Sequence, residues 1–225
     1  MNIVPLREGV LENIWPKFLL HDAVVTRYWD RIYGEYPEFQ FALVDGGEIV
    51  AEGNSIPVHG RPAQFRDALL GVFERGGEPD RLCALAVMIA PSHRGRGLSR
   101  IMLEHMRGLS ALLGGELVAP VRPTLKAEHP HVPIEEYAAW RREDGAHADP
   151  WLRTHERVGG QITGTADEAM LVEGSLDDWR SWTGVAFDHD GEYVVAGALV
   201  PVTMHDGRGV YREPCVWVEH ALKRA

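Results

Sequence analysis

The chain has 225 residues, 45% of them hydrophobic, and its 33 acidic against 23 basic side chains give a formal charge of −10. That composition suits one large or two small globular domains, and an acidic chain is a poor general binder of nucleic acid or anionic membranes. The longest apolar runs, such as Leu82 to Ala90, fall far short of the roughly 20 residues a membrane span needs, and Met1-Asn2-Ile3-Val4-Pro5-Leu6 lacks a basic head before an apolar stretch, so a cytoplasmic location is expected.

The elements follow in chain order. A short helix is expected to end near Pro16. Val25, Tyr28, Trp29 and Ile32 recur at i, i+3, i+4 and i+7, which predicts an amphipathic helix over about residues 21–34. Two apolar stretches around Asp45-Gly46-Gly47 predict a hairpin over residues 39–52. A helix is expected over residues 63–74, and then the run Leu82 to Ala90, ended by Pro91-Ser92, reads as a central strand. Leu98, Ile101, Met102, His105, Met106, Leu109 and Leu112 mark one face of a helix stopped by Gly114-Gly115. Residues 116–121 form a second buried strand, with Pro120 making its far end an edge or a bend.

From Arg122 to Gly160 the texture changes to proline, histidine, tryptophan and charge. Only residues 134–142 read as helical, so a long loop with one or two short helices wrapped over the sheet is expected. Strands return at residues 169–173, 193–202 and 209–218, with a short helix capped by Ser175 between the first two. Cys83 and Cys215 sit in apolar surroundings and read as buried reduced thiols. There is no internal repeat or linker, so the whole chain, 1–225, reads as a single mixed α/β domain with one large sheet.

Inside this acidic chain one segment reverses sign: His93-Arg94-Gly95-Arg96-Gly97-Leu98-Ser99-Arg100 holds three arginines and two glycines. A strand that passes through a Gly-rich turn straight into a helix aims several unpaired backbone N–H groups, and the helix dipole, at one spot. Gly95 and Gly97 permit close approach, while Arg94, Arg96 and Arg100 supply charge, a combination suited to a pyrophosphate. Neither the nucleoside triphosphate P-loop pattern nor the dinucleotide fingerprint is present.

Arg94-Gly95-Arg96-Gly97-Leu98-Ser99 resembles the coenzyme A motif of the Gcn5-related N-acetyltransferase (GNAT) superfamily, with Ser99 where that family usually has Gly or Ala. The order of elements over residues 1–121 also follows the GNAT fold. The resemblance implies one mixed, mostly antiparallel sheet flanked by helices, a loop-rich insertion and extra C-terminal strands. Residues 1–121 would be the coenzyme A core and 122–225 a divergent acceptor-side half. It implies acetyl-CoA or another acyl-CoA as co-substrate, with no metal, bound by Met88, Ile89, Arg94, Gly95, Arg96, Gly97, Leu98, Ser99 and Arg100. An amide near Ile89 would polarise the thioester carbonyl.

Many relatives place a glutamate on the first motif strand and a tyrosine after the second, and neither has a clear counterpart here. Trp15-Pro16-Lys17-Phe18, Arg122-Pro123-Thr124-Leu125-Lys126 and Asp149-Pro150-Trp151-Leu152-Arg153-Thr154-His155 instead resemble a GNAT branch that includes polyketide synthase loading domains. That likeness implies catalytic roles for Trp15, Thr124 and His155. It finds no arginine near Met170, where the branch would have one, leaving Arg153 and Arg157 as neighbours. Blander roles stay open: Trp15 as core, Thr124 as a turn residue, His155 as one of eleven histidines. Tyr137 reads as packing. The expected function is acyl transfer, most simply of acetyl, to a small-molecule or carrier-protein acceptor; malonyl-CoA decarboxylation with S-acyl transfer, or acyl-CoA binding without turnover, are the alternatives. Oligomeric state stays open, a homodimer included.

Overall fold

The computed structural model describes residues 1–11 and 15–222. Strand β1 (Asn2–Pro5) leads to helices α1 (Ala23–Tyr28) and α2 (Arg31–Glu35), the hairpin β2 (Gln40–Asp45) and β3 (Glu48–Val58), and α3 (Phe65–Leu70). Then follow β4 (Arg81–Ile89), α4 (Leu98–Leu112), β5 (Leu117–Val121), α5 (Ile134–Ala138) and α6 (Pro150–Arg157). The chain ends with β6 (Gly160–Ser175), α7 (Leu176–Thr183), β7 (Gly191–Tyr193), β8 (Val202–His205) and β9 (Arg208–His220).

The helix expected to end near Pro16 falls in part on residues 12–14, outside the described residues; a 3-10 turn, Lys17–His21, follows Pro16. The helix expected over residues 21–34 is two short ones. Asp22 starts the first by accepting from the N–H groups of Val24 and Val25, and Val25, Tyr28 and Ile32 still share the buried face. Helix α6 is the second of the short helices expected between Arg122 and Gly160, though apolar spacing does not locate it; its signal is at the start, where Asp149 caps Trp151 N and Leu152 N and Pro150 takes the first turn. The strand expected over residues 193–202 is mostly absent. Residues 194–201 form turns in which Gly197 has φ +81°, and the buried Val195, Ala198 and Leu199 anchor a loop in the core. Leu112, expected on the apolar face of α4, is exposed.

Among the described residues nine strands form one sheet in the order β1-β2-β3-β4-β5-β9-β8-β7, with β6 also pairing β9, and only β4 and β5 run parallel. Helix α4 covers one face through Leu98, Met102 and Met106, and α1, α2 and α3 cover the other. Cys83 and Cys215 are both buried and free, and burial pushes both thiols up.

The β4–β5 pair sets the site. Its ladder contains two register pairs, Leu82 with Leu117 and Cys83 with Val118. At Gly115 an added Cβ would fall 1.5 Å from the Asp80 carbonyl oxygen, so only glycine admits the close approach that starts it. Two features then part the strands. Asn54 and Ser55 on β3 face Ala86 and Ala84, which makes Leu85 an extra residue, a bulge that bends β4. Just before β5, the Glu116 carbonyl accepts from Leu82 N at 3.1 Å; residues two apart in the extended chain point the same way, so the nitrogen of Pro120 also faces β4 and has no hydrogen to give. The edge or bend expected at Pro120 is thus an opening inside the sheet, since Pro120 still pairs Trp217 of β9.

Candidate active site

A cavity of about 690 Å³ runs from the Arg/Gly turn along the parted strands to α6 and β9. Ala90 N donates to Val50 O on the β3 side at 3.0 Å. By alternation, Val87 and Ile89 turn their N–H groups the other way, into the gap beside Pro120.

At the outer end, Gly95 has φ +76° and Gly97 φ +75°, conformations that glycine adopts freely and other residues resist. A Cβ at either would meet no protein atom within 4 Å, so the space over them is open to a ligand. Gly97 starts α4, and no side chain caps this end. The N–H groups of the first turn are therefore available to an anion. Arg94, Gly95, Gly97, Leu98, Ser99 and Ile89 line the cavity. Arg94 is exposed there. Arg96 lies 3.8 Å from Asp45 and Arg100 bonds Glu104 at 2.9 Å, so both are partly engaged at the surface. Met88 instead lines a smaller cavity on the opposite sheet face.

Trp15, Thr124 and His155, far apart in sequence, all line the large cavity. Trp15 packs edge-on against Trp29 at 5.7 Å and against Phe65 at 6.4 Å. Thr124 and His155 are tied together through Asp149. Oδ1 of Asp149 accepts from Trp151 N and Leu152 N at the start of α6; Oδ2 accepts from Leu125 N and Tyr137 Oη, each at 2.9 Å. Tyr137 is thus a buried strut, as its helical spacing suggested.

His155 Nδ1 lies 2.9 Å from His220 Nε2 on β9, and both rings are buried. Among the described residues the outer nitrogens, His155 Nε2 and His220 Nδ1, are buried without a well-formed hydrogen bond, although the Val158 carbonyl lies near the His220 ring. Burial, and then the neighbouring imidazole, holds His155 well below the usual histidine range. Burial and the charge of Arg107 push His220 down to about 4, against a smaller opposing pull from the Val158 carbonyl. Near neutral pH the pair is uncharged, with one N–H between the rings.

Sequence reasoning missed one cluster. Arg122, just past β5, donates from Nε to Glu213 Oε1 at 2.5 Å and from Nη2 to the Gly197 carbonyl. Tyr211 Oη donates to Glu213 Oε2 and accepts from Leu199 N at 2.8 Å. Burial opposes the charge of Arg122, but Glu213 and Tyr211 outweigh it and hold the guanidinium protonated. Burial and Glu213 together keep Tyr211 well above the usual phenol range. Arg122 and Glu213 both line the cavity. The available signal was a carboxylate, Glu213, beside Arg212 inside the mostly apolar stretch Val210 to Val218. Of the arginines near His155, Arg153 is bound to the carbonyls of His147 and Ala148 at 2.5 and 3.0 Å, while Arg157 is exposed at the cavity. Met170 lines the wall where an arginine was sought.

No family model matches the chain. Its sequence is 34% identical over 254 aligned positions to an arginine N-acetyltransferase, avaD, of Aspergillus versicolor, covering 96% of this chain and 88% of that protein. Among solved structures it is similar to the loading GNATL domain of CurA from Lyngbya majuscula, with TM-score 0.56, 19% identity and 99% and 98% of the two chains covered. It is also similar to the GphF GNAT-like decarboxylase in complex with isobutyryl-CoA, with TM-score 0.58, 18% identity and 99% and 100% covered. At those identities the two structures speak to the fold.

Proposed function

The chain belongs to the GNAT superfamily of acyl-CoA-dependent acetyltransferases, and from that premise we propose that it moves an acetyl group from acetyl-CoA to an amine of a small molecule. One observation carries the reading: a single cavity joins the Arg/Gly turn, Val87 and Ile89 in the strand gap, and His155. The pyrophosphate would lie on the amides of residues 95–99 with Arg94 beside it, and the pantetheine arm would enter between β4 and β5. Val87 N–H or Ile89 N–H would donate to the thioester oxygen as charge develops there.

The amine nitrogen attacks the carbonyl carbon and its proton passes to His155 Nε2. The C–S bond then breaks, and the departing thiolate is protonated on release. Most of the acceleration would come from holding the two reactants in register, with proton transfer adding about 10²- to 10⁴-fold. Thr124 would hydrogen-bond the acyl group or acceptor, and Trp15 would wall the acyl end, since both line this cavity.

A second reading is favoured by the meeting of Trp15, Thr124 and His155 in one cavity: decarboxylation of malonyl-CoA followed by S-acyl transfer to a carrier protein. Incubating the protein with acetyl-CoA or malonyl-CoA, amines including L-arginine, and a carrier protein, while following free thiol and carbon dioxide, separates the two. Thiol release that depends on an amine, without carbon dioxide, supports the first. Carbon dioxide from malonyl-CoA with no amine-dependent thiol overturns it.

A further inference from the structure

Glu52, in the middle of β3, is fully buried. Its Oε1 accepts from the N–H groups of Val10 at 2.7 Å and Leu11 at 2.6 Å, while Oε2 is buried with no partner. Among the described residues no lysine, arginine or histidine pairs with it. A buried carboxylate with one oxygen unanswered is costly, and what would relieve it is positive charge nearby.

The smaller cavity, about 200 Å³, lies beside this carboxylate. Glu52 and Asn54 face Met88 and Ala86 across the β3–β4 ladder, so all four side chains lie on one sheet face, and Ala86 and Met88 line the cavity. Leu11, whose amide Glu52 holds, lines it too. The other walls are aromatic: Trp15, Trp29 and Tyr33. Tyr33 Oη accepts from Asn54 Nδ2 at 3.1 Å, and its phenol is raised mainly by burial, with a contribution from the charge of Glu52. Trp15 and Ala86 line both cavities, so the small one adjoins the large one on the sheet face opposite α4.

Aromatic faces attract cations, and a negative charge just behind the wall, in a medium of low dielectric, adds to that attraction. We propose that this box is the subsite for a cationic group of the acceptor, a guanidinium or alkylammonium, held against Trp15, Trp29 and Tyr33 by the charge of Glu52. The proposal rests on the acyl-transfer reading and names the acceptor class for it. Glu52 acts through its field from behind the wall. The cation would sit on one face of the sheet and the pyrophosphate on the other, with the reacting amine between them at the gap.

The test is calorimetric titration of L-arginine and agmatine into the wild-type protein saturated with coenzyme A, repeated with Glu52→Gln and Trp29→Leu. Glu52→Gln keeps the oxygen that holds Val10 and Leu11 and removes the charge. The expected result is binding to wild type, weakened about tenfold or more in both variants, with coenzyme A affinity unchanged. If Glu52→Gln does not fold, Trp29→Leu carries the test alone. Equal affinity in wild type and variants, or no binding of either compound to wild type, overturns the subsite. Cation binding lost in the variants, with no acyl transfer by wild type to any amine, leaves the subsite standing and overturns the acyl-transfer reading. Transfer to neutral amines without cation binding does the reverse.

Discussion

Replacing Gly97 by alanine separates the two jobs assigned to the Arg/Gly turn. The new Cβ would touch no protein atom within 4 Å, so the stability cost is that of an L-residue at φ +75°, about 1–2 kcal/mol. For a chain of this size that is a fall in Tm of about 2–8 °C. The same methyl group would stand in the space over the turn, and pushing a phosphate off one amide forfeits a hydrogen bond to a charged group, about 1.5–3 kcal/mol, or about 10- to 150-fold in affinity. Gly114 is a matched control, with φ +69° and equally open space at the far end of α4. Gly114→Ala should lose similar stability and keep coenzyme A. The assay is thermal melting with and without ligand, followed by calorimetric titration of coenzyme A and of pantetheine, which lacks the pyrophosphate. Pantetheine affinity should not change in either variant. Coenzyme A affinity in Gly97→Ala within about threefold of wild type would refute the placement of the pyrophosphate on this turn.

Changing Arg94 and Arg96 together to alanine should raise KM for acetyl-CoA, steepen with falling salt, and leave kcat nearly intact; Arg94→Ala alone should account for most of it, because Arg96 lies near Asp45. His155→Ala should lose turnover and keep coenzyme A affinity; because the buried pair is already uncharged, it should add no inflection to the wild-type rate between pH 8 and about 6, where any fall should follow the protonation of the amine substrate alone. Stability follows the same linkage: the unfolded chain binds protons at His220 below about 6.5, whereas the folded one resists until about 4, so Tm should fall across that interval and stay level above it. Asp149→Ala removes the cap of α6 and the ties to Leu125 and Tyr137, which should cost about 2–4 kcal/mol and lower kcat by loosening Thr124 and His155, read by urea unfolding and steady-state kinetics.

The sequence was most legible where function is carried by backbone conformation and local charge. Gly95 and Gly97 announce left-handed turns, and the apolar runs on either side of the motif helix read directly as the strands that flank it. Trp15, Thr124 and His155 could be named by likeness, and the fold supplied what spacing could not, their convergence on one cavity. What stayed hidden depends on pairing between distant segments. Nothing near His155 points to His220, which meets it only because β9 returns beside β5. Glu213 and Arg122 likewise look like ordinary charges until β9 sets them side by side, and Glu52 reads as the polar residue of a hairpin though no water reaches it. The run from Val194 to Val200 shows the converse failure: its apolar residues are buried by a loop around Gly197, and period alone cannot tell such an anchor from a strand.

The opening at Pro120 has a mechanical consequence. With two register pairs between β4 and β5, the sheet behaves as two half-sheets, β1 to β4 and β5 to β9, joined at one corner and otherwise by packing. A ligand whose phosphates rest on the turn after β4, and whose arm lies between the strands, would act as a strut between the halves. Coenzyme A should then slow amide hydrogen exchange well beyond its own contacts, in Val216 to Val218 as well as in Val87 to Ile89, and raise the melting temperature in step with its concentration.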